Sequence, residues 1–155
     1  MQELKKEKIT ADFLTDLFIK KMYKMNALTE VRFKEFTVDI FLIKEKKRRI
    51  AGVEVKGEGD SLSRLKNQLR GYLKYFHSVY VLCSPNHLKG VLKVVSDDEF
   101  SSVGVIYYEN GDFITYKNAV PVEKIQGVSS NWVSKNHQLY QYKWLIDEVW
   151  GRDEK

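Results

Sequence analysis

The stretch Ile50-Ala-Gly-Val-Glu-Val-Lys-Gly-Glu-Gly-Asp-Ser-Leu-Ser-Arg-Leu-Lys-Asn-Gln68 decides how this chain is read. Side chains alternate between the two faces of a strand, so Val53 and Val55 share one face while Glu54 and Lys56 share the other. The run Ile50-Ala-Gly-Val-x-Val has the composition of a buried strand, and a carboxylate and an ammonium inside it are costly unless they have partners. A local rule broken in this way marks a candidate site. The turn Gly57-Glu58-Gly59-Asp60 lets backbone approach a ligand closely, and it feeds a helix predicted from about Ser61 to His77. Leu62, Leu65, Leu69, Tyr72 and Phe76 form one apolar stripe on that helix, with Arg64 and Gln68 on its rim. Asp60 or Ser61 is the expected N-cap.

Upstream, the hydrophobic period is two from Glu30 to Lys56. Val31 and Phe33 alternate with charged residues, Val38 to Ile43 is largely apolar, and Arg49 to Lys56 completes a predicted three-strand meander. Asp39 is the acidic residue inside the middle strand. Antiparallel pairing of that strand with Arg49 to Lys56 brings Asp39 close to Glu54, and two nearby carboxylates need a cation between or beside them. A hydrated Mg²⁺ meets that need, and so does Lys56 acting as a plain ion-pair partner. Between the strands, Lys44-Glu45-Lys46-Lys47-Arg48-Arg49 reads either as a solvated turn or as a cationic loop that grips a phosphate backbone. Before the meander, Ile9 to Met25 is a predicted amphipathic helix, with Thr10 as a candidate cap and Lys20, Lys21 and Lys24 on its solvent face.

Downstream, Ser78 to Cys83 reads as a short strand, His87 to Val95 as a helix, and Val103 to Tyr108 with Phe113 to Lys117 as a hairpin closed by Asn110-Gly111. The segment from Ala119 to Asn131 is irregular, and a helix from about Lys135 to Trp150 ends the pattern. The chain of 155 residues suits a single domain over 1–155, and its net charge of +5 permits phosphate binding without requiring it. No apolar run is long enough for a membrane span, and the charged amino terminus lacks the apolar core of a signal peptide, so a cytoplasmic protein without a membrane partner is expected. Lone Cys83 reads as core, and His77, His87 and His137 lack zinc spacing. No phosphate-binding glycine loop or nucleophile elbow is present. Trp132, Tyr140, Trp144 and Trp150 read as core or homodimer packing in preference to base stacking.

Taken together, Asp39, Glu54-Val55-Lys56 and Gln68, in the order helix, three strands, helix, strand, resemble the PD-(D/E)XK nuclease superfamily. The Asp-Ser-Leu-Ser-Arg-Leu-Lys-Asn-Gln-Leu-x-x-Tyr run is most similar to small stand-alone RecB-like or Holliday-junction-resolvase-like domains. The resemblance covers Leu14 to Pro85, and Val38 stands where the motif's proline would be. It implies an α/β fold with a restriction-endonuclease-like core, a mixed central sheet flanked by helices (αβββαβ), followed here by a β-hairpin and a helix. It also implies a metal-dependent endonuclease acting on DNA, with Asp39, Glu54, Lys56 and Gln68 catalytic. Asp39, Glu54 and the Val55 carbonyl would hold Mg²⁺, for which Mn²⁺ can substitute, and Glu30 is a candidate additional acidic residue. Lys46, Lys47, Arg48 and Arg64 are the expected nucleic-acid contacts. The alternative is a catalytically idle nucleic-acid-binding module on the same fold.

Overall fold

β3 (Arg49–Lys56) lies inside a six-stranded mixed sheet whose spatial order follows the chain: β1 (Asn26–Arg32), β2 (Thr37–Lys44), β3, β4 (Ser78–Cys83), β5 (Gly104–Glu109) and β6 (Asp112–Lys117). The computed structural model describes residues 8–22, 26–33, 36–123, 125–126, 137–140 and 142–149. β1, β2 and β3 form an antiparallel meander, β3, β4 and β5 are parallel, and β6 returns antiparallel to β5. Parallel neighbours require crossovers. α2 (Leu65–Tyr75) makes the first, and α3 (Leu88–Val95), between 3-10 turns at Pro85–His87 and Asp98–Phe100, makes the second.

The alternation along β3 sorts the core into two layers. Ile50 packs with Leu65, Leu69, Tyr72, Phe76, Val91 and Val95 beneath α2 and α3. Ala51, Val53 and Val55 pack on the other face against Leu14 and Phe18 of α1 (Ala11–Lys21). Two short helices, α4 (His137–Tyr140) and α5 (Lys143–Val149), join the α2 side through Leu139, Leu145 and Ile146. No helix among the described residues is long and apolar enough to cross a membrane.

Most element boundaries match the sequence reading, and the departures have local causes. Thr10 caps α1, its Oγ1 accepting the Phe13 N–H at 3.1 Å. α1 ends at Lys21, with Met22 as C-cap; Lys24 and Met25 lie outside the described residues. β1 begins at Asn26, before the expected start, because pairing with Ile43, Leu42 and Phe41 recruits Asn26, Ala27 and Leu28. α2 begins at Leu65, not Ser61. Asp60 turns back to accept the Gly57 N–H at 2.8 Å, and Ser61 Oγ accepts the Ser63 N–H at 3.1 Å, so both expected caps close turns instead. Gly57 permits a close approach, but to protein: a Cβ there would lie 2.2 Å from the Ala11 nitrogen. The Asn110-Gly111 turn has φ of 49° and 84°, the paired positive values of a type I′ turn. Within the expected final helix Tyr142 is a turn residue, its N–H donating to the Leu139 carbonyl at 2.9 Å; Lys135, Asn136, Gln141 and Trp150 lie outside the described residues.

Candidate active site

Asp39 and Glu54 meet at the carboxyl end of β3. The β2–β3 register ends at Ile40↔Val53, which sets Asp39 opposite Glu54 one step beyond the last pair. Their carboxyl groups are close enough to hydrogen-bond to each other. Both point to the α2 side, where Glu54 retains 3% and Lys56 6% of its exposed surface. This is a polar cluster in the core layer of a sheet.

Each member is held by a specific contact. Asp39 Oδ2 accepts the Val55 N–H at 2.8 Å. The N–H and carbonyl of one strand residue point to the same side, so the Val55 carbonyl is directed toward β2 as well, beside Asp39. Tyr72 reaches over from α2: its hydroxyl donates to Glu54 Oε2 at 2.8 Å and accepts the Asp39 N–H at 3.0 Å. Gly52 makes that reach possible. A Cβ at Gly52 would stand 2.7 Å from Tyr72 Cδ2, so only a glycine lets the ring lie against the strand. Lys56 Nζ lies 3.6 Å from Glu54 Oε1, an ion-pair distance beyond hydrogen-bond range.

The electrostatics follow from crowding two acids out of water. Burial, then the neighbouring Asp39, pushes Glu54 up to about 8, outweighing the Tyr72 hydrogen bond and Lys56. Burial also raises Asp39, against the Val55 N–H, the Glu54 hydrogen bond and Lys56. Burial therefore favours the protonated form of both carboxyl groups, and for Glu54 the neighbouring Asp39 adds to that effect. Burial and both carboxyl groups raise Tyr72 well above the usual phenol range, so it remains a neutral hydrogen-bond donor.

Gln68 stands one helical turn before Tyr72, on the same face of α2. Its Oε1 is buried and has no hydrogen-bond partner among the described residues, a condition that asks for an explanation. Arg64 is exposed at the N-cap of α2. Glu30 occupies the register position beside Asp39, between Thr29↔Ile40 and Val31↔Val38, and has the left-handed φ of 52°. Its side chain is exposed, and no group of three or more His, Cys, Asp or Glu side chains suited to a metal occurs among the described residues. The cation-binding candidates are thus two carboxylates and a backbone carbonyl.

The basic hairpin lies elsewhere. Lys44 and Arg49 are register partners at the opposite end of β2 and β3. Five residues separate each from Asp39 or Glu54, about 17 Å along a strand. Arg48 forms an ion pair with Glu148 of α5, and Arg49 Nη2 one with Glu123 Oε1 at 2.5 Å. Lys46 and Lys47 are exposed. The hairpin is therefore remote from the carboxylates, and two of its cations are already engaged.

Tyr72 is the site residue that sequence reasoning missed. Its place in the apolar stripe made it look like core, and its ring is buried. The available signal was Gln68-x-x-x-Tyr72, an i,i+4 pair that puts a second polar tip beside Gln68. Cys83 is core, with burial pushing its thiol up to about 12. Trp144 is 56% exposed; Trp132, Trp150 and the side chain of Tyr140 lie outside the described residues.

Comparison with solved structures finds a protein of unknown function from Silicibacter pomeroyi, with a TM-score of 0.55 and 11% identity over 88% of this chain and 80% of that one. At that identity the likeness is one of fold. No curated protein sequence matches the chain significantly. A family profile described as bacteriophage P4 protein cII matches residues 1–144, and the chain belongs to that family.

Proposed function

We propose that the protein is a metal-dependent endonuclease that hydrolyses phosphodiester bonds of DNA, built on a restriction-endonuclease-like core. The observation that carries this reading is the Asp39–Glu54 carboxyl pair, with Glu54 buried, Asp39 half-buried, and buried Lys56 on the same face two residues after Glu54. A merely structural pair would be expensive to keep, since burial raises both carboxyl pKa values and Asp39 raises that of Glu54 further. The order of α1, the β1–β3 meander, α2 and β4 also agrees with the αβββαβ core that the sequence resembles.

The donor set fits Mg²⁺ or Mn²⁺. Hard cations of this kind take one or two carboxylates and fill the remaining positions with water and substrate phosphate. Asp39, Glu54 and the Val55 carbonyl would hold the ion. When bound, it would polarise the scissile phosphate and lower the pKa of an attacking water. Glu54 would bind the ion as its carboxylate, and Tyr72 keeps that group oriented by donating to Oε2. Lys56 supplies a buried positive charge beside Glu54 for the negative charge that develops on the phosphate. Gln68 has an acceptor free to orient a water or a substrate hydroxyl.

The test is incubation of the purified protein with linear, circular, single-stranded and four-way-junction DNA in Mg²⁺, Mn²⁺ or EDTA. Cleavage in either metal and none in EDTA is expected. Equal cleavage in EDTA contradicts the proposal, and tight DNA binding with no cleavage in any metal favours a binding module on the same fold.

A further inference from the structure

The nuclease reading leaves open where a nucleic-acid strand lies, and the charge distribution on α2 and α3 answers it. Both helices start at the carboxylate end of the sheet. β3 ends at Lys56 and β4 at Cys83, which are register partners, and the Ser84 N–H donates to the Lys56 carbonyl at 2.9 Å. The turn that leads into α2 touches α3, where a Cβ on Gly90 would stand 2.6 Å from Leu62 Cδ1, and Leu65 and Leu69 of α2 share one core layer with Val91 and Val95 of α3.

The solvent side of this pair is cationic where it begins. From Ser61 to Phe76 the chain contains Arg64, Lys66, Arg70 and Lys74 and no acidic residue, and α3 contains Lys89 and Lys93 and no acidic residue. All six cations are exposed. Arg70 is engaged by Glu99, Nη2 to Oε2 at 3.0 Å, and the acids Asp97, Asp98 and Glu99 bound the patch beyond the end of α3. Neither α2 nor α3 has a first-turn acid or a side-chain cap, whereas α1 has Asp12 and Thr10. First-turn cations oppose the helix dipole, so their placement costs stability that a solvated surface would not require. The rise from one residue to its i+4 neighbour is about 6 Å. Lys89 and Lys93 therefore stand one such step apart on the same side of α3, comparable with the through-space step between successive phosphates of one strand.

We propose that Arg64, Lys66, Lys89 and Lys93 form the track on which a nucleic-acid backbone lies as it approaches Asp39 and Glu54, and that the Lys44–Arg49 hairpin does not. This rests on the nuclease reading for the identity of the ligand. It departs from the sequence expectation for Lys46, Lys47 and Arg48, and retains Arg64.

The experiment is fluorescence anisotropy of labelled single-stranded and duplex oligonucleotides, in EDTA to prevent turnover, over a salt series. It compares wild type with K66Q/K89Q/K93Q, K66R/K89R/K93R and K46Q/K47Q, with thermal melts to verify folding. Neutralising the three track lysines should flatten the log–log salt dependence on a single strand by about 2 units, at about 0.7 per lost phosphate contact. The arginine variant should retain the wild-type slope and K46Q/K47Q should leave it unchanged. A flattened slope for K46Q/K47Q, or an unchanged one for K66Q/K89Q/K93Q, overturns the track while leaving the nuclease reading intact. Wild type that binds neither oligonucleotide overturns both.

Discussion

The two ends of β3 handle charge in opposite ways. At the amino end, Arg48 and Arg49 are paired with Glu148 and Glu123, and the acid partners are at least half exposed. Such pairs contribute little beyond about 1 kcal/mol and satisfy the ordinary rule that charges remain at the surface. At the carboxyl end, Glu54 and Lys56 are nearly sealed from water and Glu54 is crowded by a second acid. The first arrangement is what a fold needs in order to be soluble and tied together. The second is hard to justify by stability, because burial and a neighbouring acid both oppose ionisation of Glu54.

The largest expected effect lies at the crowded end. Lys56→Ala should lower the cleavage rate on the order of a hundredfold or more, the usual loss for removing a donor aimed at transition-state charge. Arg48→Ala should leave the rate within a few-fold. A single-turnover comparison of the two variants that finds similar losses would erase the functional distinction between the ends.

Next come the supports of the carboxyl pair. Tyr72→Phe removes the donor to buried Glu54 and the acceptor of the half-buried Asp39 N–H, which should cost about 1 to 3 kcal/mol. Gly52→Ala forces the Tyr72 ring off the strand and should cost about 1 to 3 kcal/mol by overpacking. Denaturant titration measures both. By the same measure Arg48→Ala should cost no more than about 1 kcal/mol, because its ion pair is exposed.

The ends should also answer pH in opposite directions. Glu54 has a folded pKa raised from 4.5 to about 8, so the folded state holds a proton that the unfolded chain releases. Its contribution is fully present below pH 4.5 and is lost as pH rises through 8. At the amino end, His77 Nδ1 accepts the Ile50 N–H at 3.0 Å, while its own backbone N–H donates to the Ile50 carbonyl at 3.1 Å. Burial, then Arg49, lowers the His77 pKa, against Glu123. Its neutral form is the stable one, so this contribution is present above pH 6.5 and lost as pH falls. Melting temperatures in EDTA should therefore fall between pH 4.5 and 8 more in wild type than in Glu54→Gln, and should decline on the acid side less in His77→Gln than in wild type. A Glu54→Gln curve parallel to wild type between pH 4.5 and 8 would show that Glu54 ionises in the metal-free fold as it does in the unfolded chain.

Much of this architecture is legible in the sequence because periodicity reports which side of an element is buried. The switch from period two at Arg49 to Lys56 to a three-four stripe at Leu65, Leu69, Tyr72 and Phe76 fixes both β3 and the inner face of α2. The position of Asp39 opposite Glu54 follows from strand lengths alone. What local pattern does not contain is long-range pairing. Glu148 and Glu123 are 100 and 74 residues from the arginines they hold. Nor does a stripe of apolar positions distinguish a tyrosine that only fills space from Tyr72, whose hydroxyl ties Asp39 to Glu54. The helix start at Leu65 was hidden for a related reason, since Asp60 and Ser61 are good caps that here serve the preceding turns.

The least expected consequence falls on Glu30. It sits beside Asp39 with a strained backbone but an exposed side chain. Glu30→Gln should leave cleavage within a few-fold, and a loss approaching that of Lys56→Ala would make Glu30 a third acid of the site.

The central claim is that the Asp39–Glu54 pair exists to hold a cation for phosphodiester hydrolysis. Cleavage of DNA in Mg²⁺ by wild type and Glu54→Gln, with binding measured on the same samples in EDTA, tests it most directly. Glu54→Gln keeps the side-chain shape and the Tyr72 contact but removes the ionisable carboxylate, so cleavage should vanish while DNA affinity stays close to wild type, since backbone contacts come mainly from Lys and Arg. A folded Glu54→Gln protein that cleaves at the wild-type rate would contradict the account.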